Sequence, residues 1–194
     1  MSEERVGVFI CHCGTNIGGI VDCHKVSEDV AQSGVALVRE HSYMCTGGQA
    51  QIISDIEEFG LDRIVVAACT PRIHEETFRS VCSVAGINPF LMEMVNIREQ
   101  CSWCHSQGGE AVTEKATELV LMGVEKVRRN EPLIPFQVPM TKKVLVIGGG
   151  ISGIEAGLKI ADLGHKVILV EKGPTIGGKM AQLNKIFPDQ NCSP

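Results

Sequence analysis

Cysteine is the residue type that most strongly suggests chemistry in this chain. Nine cysteines occur among 194 residues, and the first two stand one residue apart in the segment VGVFICHCG. Disulfide frameworks are typical of secreted proteins, yet the first residues, MSEERVGVFICHC, are acidic where a signal peptide needs a basic region. Metal ligation or thiol redox chemistry is therefore favoured. The alternative for any single cysteine is a small, buried apolar side chain.

The overall composition argues against several other functions. The net charge of -5 gives no electrostatic reason to expect nucleic acid or an anionic membrane as a partner. No run reaches the roughly 18 apolar residues of a membrane span, so we predict no membrane span and a cytoplasmic protein. With 44% hydrophobic residues, the chain can bury one good core and part of a second.

Apolar runs alternate with segments of helical spacing in the first two thirds of the chain. Short runs predict four strands, at residues 6–10, at 35–39 continuing toward Tyr43, at 64–68 and at 90–95. Helices are predicted between them, with a cap at Asp22 and stops at Gly60 and Gly86, and a longer helix carries an apolar face from Ala116 to Val127. This alternation predicts an α/β domain, with a small parallel sheet between two layers of helices.

The cysteines can now be placed on these predicted strands. Five of them follow the carboxyl ends of the four strands: Cys11, Cys13, Cys45, Cys69 and Cys101. Those ends share one edge of a parallel sheet, and neighbouring strands are only ~4.8 Å apart, so the loops can bring several thiols to one centre. In an extended segment Cys11 and Cys13 would point the same way. Thiolates suit zinc or an iron-sulfur cluster, and their wide spacing in sequence favours the cluster.

Three further cysteines receive different interpretations. Cys82 lies on the apolar face of a predicted helix and is expected to pack in the core. Cys23 falls in a first helical turn and has no obvious partner. Cys104 forms a CxxC pair with Cys101, which is compatible with redox, zinc or iron-sulfur chemistry. Two histidines stand beside these thiols and are expected to lie outside the ligand set: His12 and His105.

A second type of site follows a proline-containing segment. Residues 131–142 contain three prolines and no helical pattern, which predicts a linker. A strand at 144–147 then leads into GxGxxG, a helix that stops at Gly164, and a strand at 167–170 that ends at Glu171. This context is specific for a Rossmann-type dinucleotide site, in which the glycines admit a pyrophosphate at the helix N-terminus. The acid would bind ribose hydroxyls and disfavours NADP. The glycines are Gly148, Gly150 and Gly153.

Taken together, the motifs resemble those of the N-terminal part of the A-type subunit of CoB-CoM heterodisulfide reductase. The segments that carry the resemblance are ICHCGTNIGG, SYMC, VVAACTPRIHE, NIREQCSWCH, VLVIGGGISGIEA and IGGKMAQLNKIFP. The resemblance implies an oxidoreductase subunit that relays electrons between FAD and [4Fe-4S] clusters in a flavin-based bifurcating complex with other subunits. By the same resemblance, residues 1–130 form the iron-sulfur domain, 131–142 the linker and 143–194 the start of an FAD-binding domain.

The resemblance also implies particular site residues. For the cluster these are Cys45, Cys69, Cys101 and one or both of Cys11 and Cys13. For FAD, the residues that match the family are Gly148, Gly150, Ile151, Ser152, Gly153, Glu171, Lys172, Gly177, Gly178 and Lys179.

The family continues beyond the last residues of this chain, NCSP, where Cys192 resembles the first cysteine of a further motif. One βαβ unit cannot cover a dinucleotide on both sides. We therefore expect the isolated chain to be inactive and to need a partner chain that supplies the rest of the flavin domain. The alternative is a non-catalytic metal-binding or assembly module.

Overall fold

The computed structural model describes residues 4–183, 185–188 and 191–192. The chain divides into two compact units, residues 1–135 and 136–194. The boundary between the units lies in the segment 131–142, in which the structure has no helix or strand. The assignment of domains to 1–130 and 143–194 stays a prediction, and each unit is described by itself.

A four-stranded parallel sheet forms the centre of the first unit. Its strands are β1 (Val6–Cys11), β2 (Leu37–His41), β3 (Arg63–Ala68) and β4 (Met92–Asn96), in the order β2-β1-β3-β4. Every residue of β1 is buried, as is β3 after its first residue, because both strands are covered on both faces. The four predicted strands are present, although β2 and β4 each begin two residues later than expected.

Helices cover the sheet on both faces. The helices of this unit are α1 (Thr15–Gly18), α2 (Cys23–Ala31), α3 (Gln49–Phe59), α4 (Pro71–Val84) and α5 (Glu110–Arg129), with a 3-10 turn at Ser102–Cys104. The side chain of Asp22 caps α2 by accepting the Lys25 N–H at 3.0 Å. Gly60 ends α3 in the left-handed conformation, with φ of 56°. The predicted cap and stop are thus where the sequence indicated.

The alternation of side chains along the strands builds two cores. Val8 and Ile10 of β1 face a core made with α2 and α5, whereas Phe9 and Cys11 face a core made with α3 and α4. Successive side chains of one strand therefore pack against opposite helix layers, and the predicted three-layer α/β fold is confirmed. Because the sheet is buried on both faces, its carboxyl edge is where the loops can form a site.

The second unit begins with a βαβ motif. Strand β5 (Lys143–Ile147) pairs in parallel with β6 (Lys166–Val170), and α6 (Ile151–Asp162) connects them. A 3-10 turn at Met180–Gln182 and a short antiparallel pair, β7 (Lys185–Ile186) and β8 (Asn191–Cys192), follow. The Cys192 side chain lies outside the described part of the structure. Among the described residues, no helix has the length and apolar character needed to cross a membrane.

Candidate metal and flavin sites

The order of the strands places a crevice beside the first cysteines. The chain runs from β1 to β2 on one side of the sheet and then crosses to β3 on the other side. The carboxyl ends of β1 and β3 therefore flank the point where the strand order reverses, which is the usual ligand position in open α/β sheets. Cys11 is the last residue of β1, and Cys69 follows directly after β3.

Cys11 is surrounded by backbone donors and by other thiols. Its Sγ accepts hydrogen bonds from the Met44 N–H at 3.3 Å and from the Cys13 N–H at 3.4 Å. Burial raises the pKa of Cys11; the two N–H donors oppose this rise, and nearby Cys13 and Cys45 add to it. These three cysteines are therefore close enough for the charge of one to affect another.

Cys69 belongs to the same neighbourhood. Burial raises the pKa of its thiol to about 11, Arg98 opposes this rise, and Cys13 and Cys11 add to it. Cys11 and Cys69 lie in the core beside α3 and α4, and Cys13 and Cys45 pack against that core. Four of the five predicted ligands, from the ends of three strands, therefore lie in or against one core.

The predicted geometry of the first two thiols is wrong. Strand β1 ends at Cys11, and Cys13 adopts a left-handed conformation, with φ of 47°. Gly14 continues this turn with φ of 57°, since α1 begins at the next residue and the chain must change direction within two residues. Cys11 and Cys13 are therefore not aligned along an extended segment. They come together because the chain turns back on itself.

Cys101 occupies a different environment. It is fully buried in the core beside α2 and α5, and its Sγ donates to the carbonyl oxygen of Val112 at 3.4 Å. Burial raises the pKa of Cys101, Lys115 opposes the rise and Cys104 adds to it. Cys104 is thus the thiol that acts electrostatically on Cys101, and Cys13 packs against the same core as Cys101. Cys104 is exposed, and its Sγ donates to the Glu99 carbonyl oxygen at 3.0 Å.

Within the described residues, no group of three or more His, Cys, Asp or Glu side chains is already arranged as a metal site. The five-cysteine ligand set stays a prediction. The chemistry of the donors does fit a cluster, because four free thiols from three loops lie in or against one core.

Cys82, Cys23 and the two histidines beside the cysteine motifs have structural partners. Cys82 is fully buried beside α3, which confirms its interpretation as a core residue, and burial raises its pKa to about 12. Cys23 begins α2 and is buried in the other core. The ring of His12 lies 3.0 Å from a carboxylate oxygen of Glu40. The ring of His105 lies 2.9 Å from the amine of Lys115.

Arg98 is a site residue that the sequence analysis missed. Its Nη1 donates to the Sγ of Cys13 at 3.2 Å, and its Nε and Nη2 donate to one carboxylate oxygen of Glu99 at 3.2 and 2.8 Å. Its guanidinium also stacks over the ring of Trp103, 4.5 Å from the ring centre. The sequence feature that could have indicated Arg98 is a basic residue within the cysteine motif NIREQCSWC.

The glycine loop of the second unit has the shape that a pyrophosphate needs. Gly148 has φ of 103°, which turns the chain from β5 toward α6. A Cβ on Gly153 would lie 1.9 Å from the carbonyl oxygen of Gly148, so no side chain fits between helix and loop. A Cβ on Gly150 would meet no atom within 4 Å, which leaves open space over the N-terminus of α6. Ile151 and Ser152 form the first turn of that helix.

Glu171 follows β6 and is already held by the loops around it. One carboxylate oxygen accepts the Gly149 N–H at 2.7 Å and the other accepts the Gly173 N–H at 2.8 Å. The bond from Gly173, followed by the bond from Gly149, lowers the pKa of Glu171 below its ordinary value. The acid is therefore ionised near neutral pH and stands beside the glycine loop, as ribose binding requires.

A second glycine turn lies against the first. The Gly177 N–H donates to the carbonyl oxygen of Gly149 at 2.6 Å, and Gly150 and Gly177 form a parallel bridge. A Cβ on Gly178 would lie 3.1 Å from the Cα of Gly150. The structure thus unites the two glycine segments and Glu171. Lys172 and Lys179 stand next to these segments in the chain.

These features define the class of the second unit as a flavin-type dinucleotide-binding domain. Residues 143–189 match the family model described as FAD dependent oxidoreductase. The Rossmann-type unit that the glycine spacing predicted, and the start of an FAD-binding domain that the family resemblance implied, are therefore confirmed.

Comparison with curated proteins extends over both units. The chain is 52% identical over 193 residues to the second A-type iron-sulfur subunit of CoB-CoM heterodisulfide reductase from Methanopyrus kandleri, covering 98% of this chain and 29% of the relative. It is 50% identical to the A-type subunit of the H2:CoB-CoM heterodisulfide,ferredoxin reductase of Methanothermobacter thermautotrophicus, a match that covers 100% of this chain and 30% of the relative. It is also 50% identical to the A-type subunit of the ferredoxin/F420H2-dependent CoB-CoM heterodisulfide reductase of Methanosarcina acetivorans. That match covers 97% of this chain and 24% of the relative. The resemblance to the N-terminal part of the A-type heterodisulfide reductase subunit is thereby confirmed.

Proposed function

We propose that this chain is a component of an electron-transfer oxidoreductase that holds a [4Fe-4S] cluster in its first unit and the ADP half of FAD in its second. The observation that supports this proposal is that four thiols from the ends of β1, β2 and β3 lie in or against one core, in a chain that also contains the flavin-type βαβ unit. A cluster accepts and releases single electrons, and a flavin exchanges one or two. A chain with both sites would hold both kinds of electron carrier.

The cluster ligands in this proposal are Cys11, Cys13, Cys45 and Cys69. They supply four thiolates, which is the full ligand set of a [4Fe-4S] cluster. Cys101, the fifth predicted ligand, is the spare thiol in this assignment, because its Sγ is fully buried and bonded to the Val112 carbonyl oxygen. The backbone N–H of Met44 already points at the Sγ of Cys11, and such donors stabilise a ligand sulfur that carries negative charge.

The second unit would hold FAD through its phosphates and its adenosine ribose. The open space over Gly150 and the N–H groups at the N-terminus of α6 suit the pyrophosphate. Glu171 would accept the ribose hydroxyls, and the glycine turn at Gly177 and Gly178 would close over the loop. The described βαβ motif has two parallel strands, so the contacts to the isoalloxazine ring must come from further sequence, on this or another polypeptide.

The relatives are named as subunits, which supports a complex as the working form of this chain. We propose that it acts with other heterodisulfide reductase-like subunits in a flavin-based bifurcating complex. The chain spans about 30% of the length of these two relatives, so the activity of the whole assembly is part of the proposal.

Anaerobic purification of the whole chain, followed by iron, sulfide and zinc analysis, tests the metal site. We expect about four iron and four sulfide per chain, with a broad visible absorption that bleaches on reduction. Cys69→Ser should lose the iron, whereas Cys101→Ser should keep it. The second is a matched control, since both thiols are buried and follow neighbouring strands.

A second candidate function remains, because four thiolates also form a structural zinc site. Colourless protein with one zinc per chain and no iron would support a non-catalytic metal-binding module and contradict the proposal. Loss of iron from Cys101→Ser together with its retention in Cys13→Ser would contradict the four-ligand assignment.

A further inference from the structure

We propose that Arg98 is a positioning residue that holds the Cys13 sulfur and makes the bound cluster easier to reduce. This inference rests on the proposed function, because it concerns the environment of the cluster in the first unit. It assigns a role to a residue that is not itself a ligand.

The first argument is the contact between the guanidinium and a ligand sulfur. Nη1 of Arg98 lies 3.2 Å from the Sγ of Cys13, which is within hydrogen-bonding range for a sulfur acceptor. Arg98 also acts electrostatically on Cys69, so its charge reaches two of the four proposed ligands, from the ends of two different strands. An arginine stays protonated at any physiological pH, so this positive charge is permanent.

The second argument is that the arginine is held in place before any cluster binds. Its guanidinium donates to the carboxylate of Glu99 and stacks over the ring of Trp103. The Oδ1 of Asn96 accepts the backbone N–H groups of Arg98 and Glu99 at 3.2 and 2.9 Å, which fixes the loop after β4. The Trp103 Nε1 donates to the Oδ1 of Asn16 at 3.3 Å, beside the turn that carries Cys13. The carboxylate, the indole ring and the fixed loop thus hold the arginine in place.

The physical effect follows from charge. Reduction adds one electron to the cluster and no proton to Arg98, so the cluster and its ligands become more negative by one charge. A fixed positive charge and an N–H donor at a ligand sulfur stabilise that reduced state more than the oxidised one. Glu99 offsets part of this charge, but its bonded oxygen faces Nε and Nη2, whereas Nη1 is the nitrogen that faces the sulfur. Removing the positive charge should therefore lower the midpoint potential.

The chain offers a matched control arginine. Arg79 stacks over the ring of Phe90 at 4.7 Å and pairs with Glu75, which reproduces two contacts of Arg98, and the thiol on which it acts is Cys82, outside the proposed ligand set. Its Nη1 donates to the Pro89 carbonyl oxygen at 2.8 Å instead of to a sulfur. Arg79→Gln therefore removes the same charge and the same kind of stacking away from the cluster.

The test is an EPR-monitored redox titration of the whole, cluster-loaded chain, with dithionite as reductant and viologen mediators. Arg98→Gln should bind iron normally and have a midpoint potential lower by about 59 mV or more, a tenfold change in the one-electron equilibrium constant. Arg98→Lys should shift the potential less, because the charge is kept, and Arg79→Gln should not shift it.

Several results would overturn the inference. An unshifted potential in cluster-loaded Arg98→Gln would refute it while leaving the proposed function intact. Loss of iron from both Arg98 variants, with unchanged thermal unfolding, would overturn it in favour of a role for the arginine in cluster assembly. Absence of iron from the wild-type chain would overturn the proposed function and this inference together.

Discussion

The carboxylate of Glu171 accepts the backbone N–H of Gly149 at 2.7 Å, which joins the acid after β6 to the glycine loop after β5. The parallel register pairs Ile147 with Val170, so the two loops leave the sheet side by side. The residue proposed to bind ribose therefore also helps to shape the loop proposed to bind the pyrophosphate. Substitution of this acid should affect both parts of the site.

Replacing Glu171 with alanine should weaken FAD binding by at least tenfold. The change removes the acceptor for the ribose hydroxyls and leaves the Gly149 and Gly173 N–H groups without their carboxylate partner. Quenching of FAD fluorescence on titration with the whole chain measures the affinity. Glu155→Ala is the control, because Glu155 pairs with Lys159 on the same unit. Equal affinities for the wild type and Glu171→Ala would refute the ribose assignment.

The hydrogen bonds of Glu171 should be lost in acid. Its pKa is lowered in the folded chain, so the bonds favour the folded state above the ordinary glutamate pKa of about 4.3 and are lost as the pH falls through the lower folded value. The amide proton resonances of Gly149 and Gly173, followed by NMR, should therefore titrate together with a midpoint below that of a free glutamate. Glu171→Gln should abolish this titration. A midpoint at or above the ordinary value would contradict the prediction.

Valine substitutions at two glycines of the loop should impair the second unit for different reasons. Gly150→Val should fold normally, because a Cβ there meets no atom within 4 Å, yet it should lose FAD binding because the side chain fills the space for the pyrophosphate. Gly153→Val should instead destabilise the second unit, because its Cβ would lie 1.9 Å from the Gly148 carbonyl oxygen. Thermal unfolding by circular dichroism, combined with FAD titration, separates the two effects. Normal FAD affinity in Gly150→Val would show that the pyrophosphate lies elsewhere.

Cys82→Ala should leave the cluster unchanged and reduce the free energy of unfolding by about 1 kcal/mol, as expected for a small cavity. Cys82 is fully buried in the same core as Cys69 but lies on α4, away from the strand ends. Urea denaturation gives the stability, and iron analysis gives the occupancy. If this variant lost its iron, Cys82 would have to be added to the ligands.

Much of the fold could be predicted because its signals are local. Apolar runs marked β1 and β3, and Gly60 marked the end of α3, since a strand buried on both faces and a left-handed helix stop each leave a pattern within a few residues. The site depended on less local features. The turn at Cys13 uses a backbone conformation that cysteine rarely adopts, so the residue type did not indicate a turn there.

The positions of Cys101 and Arg98 depend on tertiary packing. Both follow β4, and spacing alone placed Cys101 at the same edge as the other thiols. The Cys101 Sγ donates to the Val112 carbonyl oxygen of α5, a contact that spacing alone did not indicate. Arg98 reaches the Cys13 sulfur across 85 residues of sequence, a contact that exists only once the loops after β1 and β4 are assembled.

Among the described residues, Cys13 is the only one other than glycine with a positive φ, at 47°. A side chain in this conformation raises the energy of the folded chain by about 1–2 kcal/mol relative to glycine. Glycine at this position would therefore relieve the backbone strain. The native chain keeps the strain in order to keep a side chain at residue 13. Such a compromise is what selection for a sulfur atom, instead of for stability, would leave behind at this turn.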